Sequence, residues 1–243
     1  MGIHFFSSAS HGGQWVIQER LRNSNEVQSL LPDTAPLSTI RVITGSRHAI
    51  TAASHAHEGT PAKDARDGEG EREEGDEDDI VVYSSVFRAG REGADTDHSS
   101  ILFDIDPDTG CLKRGTTNAH WYRLGVSGLF STPYLSTHDI TAHPDTGRRL
   151  TGEHLADMTE VHALVRAAHR KLIPNVSMAG WDVALTSKGM LLLEVNLSCN
   201  FFRGSFALQE YLEYVHELFC ALETLERVQA CGSREEPSTR KTQ

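Results

Sequence analysis

Apolar positions in this chain fall mainly into short alternating runs, and at two places they recur at helical spacing. The clearest pair of runs is Trp181–Thr186 and Met190–Val195, separated by Ser187-Lys188-Gly189, which reads as a β-hairpin. Pro36–Thr44 (PLSTIRVIT) and Ile80–Arg88 (IVVYSSVFR) read as further strands, and so does Gln14–Leu21 (QWVIQERL). Ile101–Asp106 is a strand that a Pro107-Asp108-Thr109-Gly110 turn leads into Cys111–Lys113. Asn23–Leu31 predicts a short helix closed by Pro32. Leu155, Met158, Val161, Val165, Ala168 and Leu172 form one apolar helix face ending near Pro174. Phe206, Leu208, Tyr211, Leu212, Val215, Leu218, Phe219, Leu222, Leu225 and Val228 mark a long amphipathic C-terminal helix, packed on the sheet or serving oligomerisation. The pattern predicts an α+β fold, an antiparallel sheet with flanking helices.

Polar positions inside these runs carry the candidate chemistry. In a hairpin folded about Lys188, Asp182 lies opposite Glu194, and Asn196, two residues further on, faces the same side as Glu194. Two carboxylates and an amide at one end of an apolar ribbon suit a hard cation such as Mg²⁺, which also holds polyphosphate oxygens. An ordinary amphipathic hairpin with polar ends is the alternative. Arg41 stands among Ile40, Val42 and Ile43 and needs a partner on its face. A guanidinium holds phosphate or carboxylate through two parallel hydrogen bonds, so an anionic ligand or a salt bridge to a neighbouring strand would serve. Arg88 is the second anion-binding candidate, and Arg91 reads as a surface residue. Asp104 and Asp106 read as a strand end and its turn. His162 and His169, two helical turns apart, are too distant to chelate one ion unaided and read as structural or exposed.

The runs G-W-D-V-A-L-T (Gly180–Thr186) and L-L-L-E-V-N (Leu191–Asn196) resemble the metal-binding end of the ATP-grasp fold. They are most similar to the sugar-transfer-associated ATP-grasp group, related to α-L-glutamate ligases. L-S-T-I-R-V at Leu37–Val42 is closely similar to a strand of that family, and the Phe87-Arg88 strand end followed by Gly90 is similar to another. The family follows that strand with an Asp-Asn pair and a glycine-rich stretch, whereas this chain has Asp97-His98 and then Ser99-Ser100. The resemblance implies that Asp182, Glu194 and Asn196 hold Mg²⁺ on ATP. It further implies that Arg41 and Arg88 stabilise the transferred phosphoryl group, and that Gln18, Glu19, Arg20 and Leu21 line the adenine side of the cleft. The family's reaction activates a carboxylate as an acyl-phosphate for attack by an amine or another nucleophile. A small-molecule kinase on the same fold and a non-catalytic nucleotide- or partner-binding half-domain are the alternatives. The family's other lobe carries lysines and a glycine-rich loop over the phosphates. Nothing before Gln14 supplies it, so the N-terminal lobe is expected to be missing.

Composition narrows the setting. An apolar fraction of 38% supports a packed core. The net charge of −11 is concentrated: residues 64–79 hold ten acidic side chains against Arg66 and Arg72. Residues 54–79 are therefore expected to be a disordered acidic insertion within a domain spanning 14–231, with residues 1–13 a mobile N-terminus and 232–243 a disordered tail. The charge argues against a general nucleic-acid binder. No apolar run has the length of a membrane span, and MGIHFFSSAS is neither a signal peptide nor a myristoylation site. With four scattered cysteines and no CxxC, the expectation is a cytoplasmic protein with free thiols, of unspecified oligomeric state.

Overall fold

Six strands hydrogen-bond into one sheet: β1 (Thr39–Ser46), β2 (Ile80–Ala89), β3 (Ile101–Ile105), β4 (Leu112–Thr117), β5 (Met178–Thr186) and β6 (Gly189–Asn196). Their order is β4-β3-β2-β1-β5-β6 and every pairing is antiparallel. The computed structural model describes residues 19–48, 50–51, 79–96, 100–117, 140–155, 158–197 and 208–232. The flanking helices are α1 (Asn25–Leu30), α2 (Met158–Leu172) and α3 (Leu208–Gly232). The architecture is α+β, as the pattern predicts.

β1 lies between β2 and β5 and is buried along its whole length. A central strand covered on both faces has no solvent side, so Thr39, Arg41, Thr44 and Ser46 are buried along with Ile40, Val42 and Ile43. One face carries Ile40, Val42 and Thr44 of β1, with Phe87 and Ser85 opposite them on β2 and Val183, Trp181 and Ala179 opposite them on β5. α2 packs here through Met158, Val161 and Val165, and α1 adds Val27 and Leu30. Together with Phe103, Ile105 and Leu112 these residues form the main core.

His169, completely buried on α2, is the polar rivet of this face. Its Nε2 lies 2.9 Å from the Val176 carbonyl, which can only accept, so Nε2 carries the hydrogen. Its Nδ1 must then accept from the Thr44 hydroxyl at 2.7 Å, and the Trp181 indole N–H donates to the same oxygen at 2.8 Å. His162 meets Ser85 at 2.9 Å. Both histidines are structural, one of the two readings open in the sequence. Burial pushes the His162 imidazole down to about 4 and lowers that of His169, although the Val176 hydrogen bond opposes the latter shift.

Some boundaries and faces differ from the sequence pattern. α2 begins at Met158, and Leu155 is a buried residue of the preceding loop. Leu172 is 62% exposed, and His169 holds the buried position of that last turn. β4 extends to Thr117. α3 docks through Tyr214, whose hydroxyl donates to the Ser46 and Ser177 carbonyls and whose ring packs 5.3 Å from Tyr83. Leu212, Phe219 and Leu222, counted in the apolar stripe of that helix, are exposed. Tyr211 of the stripe packs edge-on against Tyr83 at 5.8 Å, and Tyr214, carrying both an aromatic ring and a hydroxyl, is the fully buried anchor. Glu19–Leu21 form no strand: the chain from Arg22 is tied to the hairpin end by Ser187 N–H on the Arg22 carbonyl and Ser24 N–H on the Leu185 carbonyl. Residues 14–18, 1–13, 52–78, 97–99, 118–139 and 233–243 lie outside the described residues, and the readings made of them go with them. Asp79 is described: it accepts from Arg170 at 2.8 Å, and its carbonyl accepts from the Arg47 N–H. No described helix is long and apolar enough to cross a membrane.

Candidate functional site

The opposite face of the sheet carries the charged residues, and strand pairing lines them up. Asp104 of β3 pairs with Val86, Val86 with Arg41, Arg41 with Asp182, and Asp182 with Glu194 of β6. Directly opposed residues in antiparallel strands point to the same side. Five strands therefore present one row containing Asp104, Arg41, Asp182 and Glu194. Beside it, Leu102 pairs with Arg88, Arg88 with Thr39 and Thr39 with Ala184; on the other side Ile43 pairs with Gly180 and Gly180 with Asn196. The floor of this face sets these polar side chains among the buried apolar residues Val86, Leu102, Ile43 and Ala184.

A bulge places Glu194 in the row. Thr186 pairs with Gly189 and Val183 with Leu192, so the hairpin closes about the Ser187–Lys188 bond and not about Lys188 itself. That register alone would set Leu193 opposite Asp182 and turn Glu194 to the α2 face. The pairing shifts between Asp182 and Val183, leaving Leu193 as the extra residue and bringing Glu194 opposite Asp182. The expected juxtaposition is present, then, for a reason the sequence pattern does not contain.

The side chains interact closely. Arg41 grips Asp182 with two parallel bonds, Nε to Oδ1 and Nη2 to Oδ2, the latter at 2.8 Å. Arg88 Nη1 reaches the same Oδ2 at 3.3 Å. All three are buried: Asp182 is 4% exposed, Arg88 7% and Arg41 9%. Glu194 is exposed and accepts from the Asn196 amide at 3.0 Å. The donors are all oxygens, the set a hard divalent cation takes, and a carboxylate has about four acceptor positions, so Asp182 can bond its arginines and still offer a lone pair. The residues fit such an ion. Among the described residues no three His, Cys, Asp or Glu side chains gather as a metal set, so the fit rests on two carboxylates with one amide.

The loop leaving Arg88 is clamped. Gly90 N–H donates to Ser38 Oγ at 3.0 Å, and its carbonyl accepts from buried His143 at 3.0 Å. Arg91, read as a surface residue, is partly exposed and makes a bidentate pair with Asp145, whose carboxyl its hydrogen bonding holds down to about 2.

Of the residues singled out in the sequence, Arg41, Arg88, Asp182, Glu194 and Asn196 share one face. Glu19 lies elsewhere, at the turn end of the hairpin, with its carboxylate 2.7 Å from Lys188 Nζ; Arg20 is exposed and Leu21 half-buried beside it. Gln18 lies outside the described residues. Sequence reasoning passed over Asp104, a buried member of the charged row, by reading it only as a strand end before the turn. Asp106 is indeed the turn residue: it accepts from the Asp108 and Thr109 N–H groups and pairs with Lys113 at 2.9 Å. Parity along β3 was the available signal, since Leu102 and Asp104 face opposite to Phe103.

The six-stranded antiparallel sheet with flanking helices is consistent with part of an ATP-grasp domain. The model of the sugar-transfer associated ATP-grasp family matches residues 76–212, more than half of the chain, and the chain belongs to that family. β1, with Arg41, precedes the matched stretch but is paired on both edges to strands inside it. No curated protein and no solved structure matches the chain.

Proposed function

We propose that this protein carries out ligase-type ATP-grasp chemistry: with Mg²⁺ and ATP it activates a carboxylate as an acyl-phosphate, which an amine or another nucleophile then attacks. The observation carrying this reading is the charged row itself, Arg41, Asp182 and Glu194 opposed strand by strand with Arg88 alongside, in a chain of an ATP-dependent family. Asp182, Glu194 and Asn196 would hold Mg²⁺, which supplies charge neutralisation on phosphate oxygens. Arg41 and Arg88 stabilise the negative charge that accumulates on the transferred phosphoryl group and on the acyl-phosphate. A guanidinium whose position is fixed by burial does this without reorganising at the moment of reaction. The clamp behind Gly90 keeps Arg88 aimed at the floor. Glu19, Arg20 and Leu21, at the hairpin's turn end, are assigned to the adenine side, and Gln18 is assigned there from the sequence alone. No side chain on this face is needed as a general base, because positioning and charge stabilisation dominate phosphoryl transfer.

Titration calorimetry with Mg²⁺-ATP on the wild type and on Glu194→Ala tests the reading. Changes to groups that merely orient metal ligands cost roughly 10–100-fold in affinity, so loss of a ligand carboxylate is expected to weaken binding by at least about tenfold. A wild type that does not bind Mg²⁺-ATP would overturn it. In turnover, a joined product with release of free phosphate separates ligation from simple phosphorylation of a hydroxyl.

A further inference from the structure

Leu212, Val215, Phe219 and Leu222 of α3 follow one another at spacings of three and four, which sets them in one stripe along the helix. Three of them are open to solvent: Leu212 is 55% exposed, Phe219 62% and Leu222 44%. The helix is held to the sheet near its start. Tyr211 and Tyr214 pack on Tyr83, the Tyr214 hydroxyl donates to the Ser46 and Ser177 carbonyls, and Glu217 meets Arg47 at 3.0 Å. Further along, Cys220, Thr224 and Arg227 bond to residues of the same helix. A helix of roughly 12–15 residues is marginal alone in water and is held by packing of its apolar face. Residues 218–232 are a stretch of that kind, and the stripe is the face they have to offer.

We propose that this stripe pairs with the α3 stripe of a second copy of the chain, antiparallel, about a twofold axis level with the Cys220–Ala221 bond. The charges of the helix carry the choice of occupant. Glu210 and Glu217 lie on the side away from the stripe, where Arg47 stands. Glu213, His216, Glu223 and Arg227 follow the open edge of the stripe, and this edge complements itself when read backwards. In the proposed register Phe219 is level with the second copy's Leu222, and Leu222 with its Phe219. Arg227 comes within about 1.5 Å, measured along the axis, of the level of the second copy's Glu213, and His216 within about 3 Å of the level of its Glu223. The twofold axis repeats both pairs. Within one helix Arg227 meets Glu223 at 3.5 Å and His216 meets Cys220 at 3.9 Å, both on exposed side chains, and pairing adds the second copy's carboxylates to these contacts. Glu226 is the charge inside the seam, level with the second copy's Val215 near each end. Slid by one heptad, the stripe would match more apolar side chains but set Glu223 beside the second copy's Glu213, and the edge charges select against that register.

Sedimentation velocity of the full chain, from about 1 to about 100 µM, is expected to show a monomer–dimer equilibrium. Phe219→Glu is expected to weaken the dimer at least about thirtyfold, the loss typical of a central aromatic contact. Leu172→Glu, at an equally exposed apolar position on α2, is expected to leave it unchanged. His216→Glu sets two carboxylates against each other across the seam and is expected to weaken the dimer at least about threefold. Adding Glu223→Lys to that variant restores opposite charges and is expected to restore the dimer. A wild type that stays monomeric at about 100 µM overturns the proposal. So does a dimer indifferent to Phe219→Glu, one lost equally in Leu172→Glu, or one that the added Glu223→Lys fails to restore. Should circular dichroism show that Phe219→Glu has lost its fold, Leu222→Glu takes its place with the same expected loss.

Discussion

Thr44 is the meeting point of the Trp181 indole N–H and the His169 imidazole, both fully buried. Thr44→Val keeps the shape and removes the oxygen, leaving one donor and one acceptor in the core. Each such orphan costs roughly 1–3 kcal/mol, so a loss of that order or somewhat more is expected in urea unfolding, with the m-value unchanged. Little of this network is legible in the sequence. Threonine in a strand and histidine on a helix are unremarkable alone, and their contact spans 125 positions along the chain. Arg41 shows the reverse situation. A charged side chain among isoleucines and a valine announces that it needs a partner, and the partner is a carboxylate. That the carboxylate is Asp182 follows only from β5 pairing beside β1, a long-range fact.

At the scale of the element, the hairpin was the most legible part because its signals are local. Its turn depends on Gly189, whose φ of +103° lies where side chains are rarely tolerated, while nothing stands within 4 Å of a Cβ placed there. The cost of Gly189→Ala is therefore backbone strain alone, about 1–3 kcal/mol, and is expected as a lowered urea midpoint with the sheet retained by circular dichroism. α2 was legible from its period, except that Leu172 belongs to solvent and His169 to the core. α3 was legible as a helix and partly in its docking. Tyr211 of the apolar stripe packs edge-on against Tyr83, whereas Tyr214, which also bonds two carbonyl groups, was not in the stripe.

At the scale of the molecule, the α+β class followed from pattern, while the strand order, with β1 in the middle, did not. Sequence order puts β1 next to β2, but only β5's return to its other edge makes it central. His162, half-buried, and His169, fully buried, give the fold a pH dependence. His162 falls from an ordinary 6.5 to about 4, mainly through burial, with the Arg166 charge assisting, and His169 is lowered too. The native state therefore binds fewer protons than the unfolded chain once pH drops below about 6.5, and stability falls with pH there. Above that value these groups contribute no slope. Urea midpoints measured from pH 8 to 4 are expected to be flat with respect to these histidines down to about 6.5 and then to decline. Substituting His162 with Gln is expected to flatten part of the decline.

The extra residue in β6 divides the hairpin into two phases. Between the turn and Leu192 the ribbon keeps the phase that feeds Met190 and Leu192 to the core; beyond Leu193 it keeps the opposite one. Losing Leu193 alone would therefore leave the turn, the apolar contacts and the pairing of Glu194 with Asp182 in place and only straighten the ribbon, whereas ironing out the bulge with Leu193 retained would rotate Glu194 and Asn196 together to the helix side. A homologue one residue shorter at this point could keep both without a bulge.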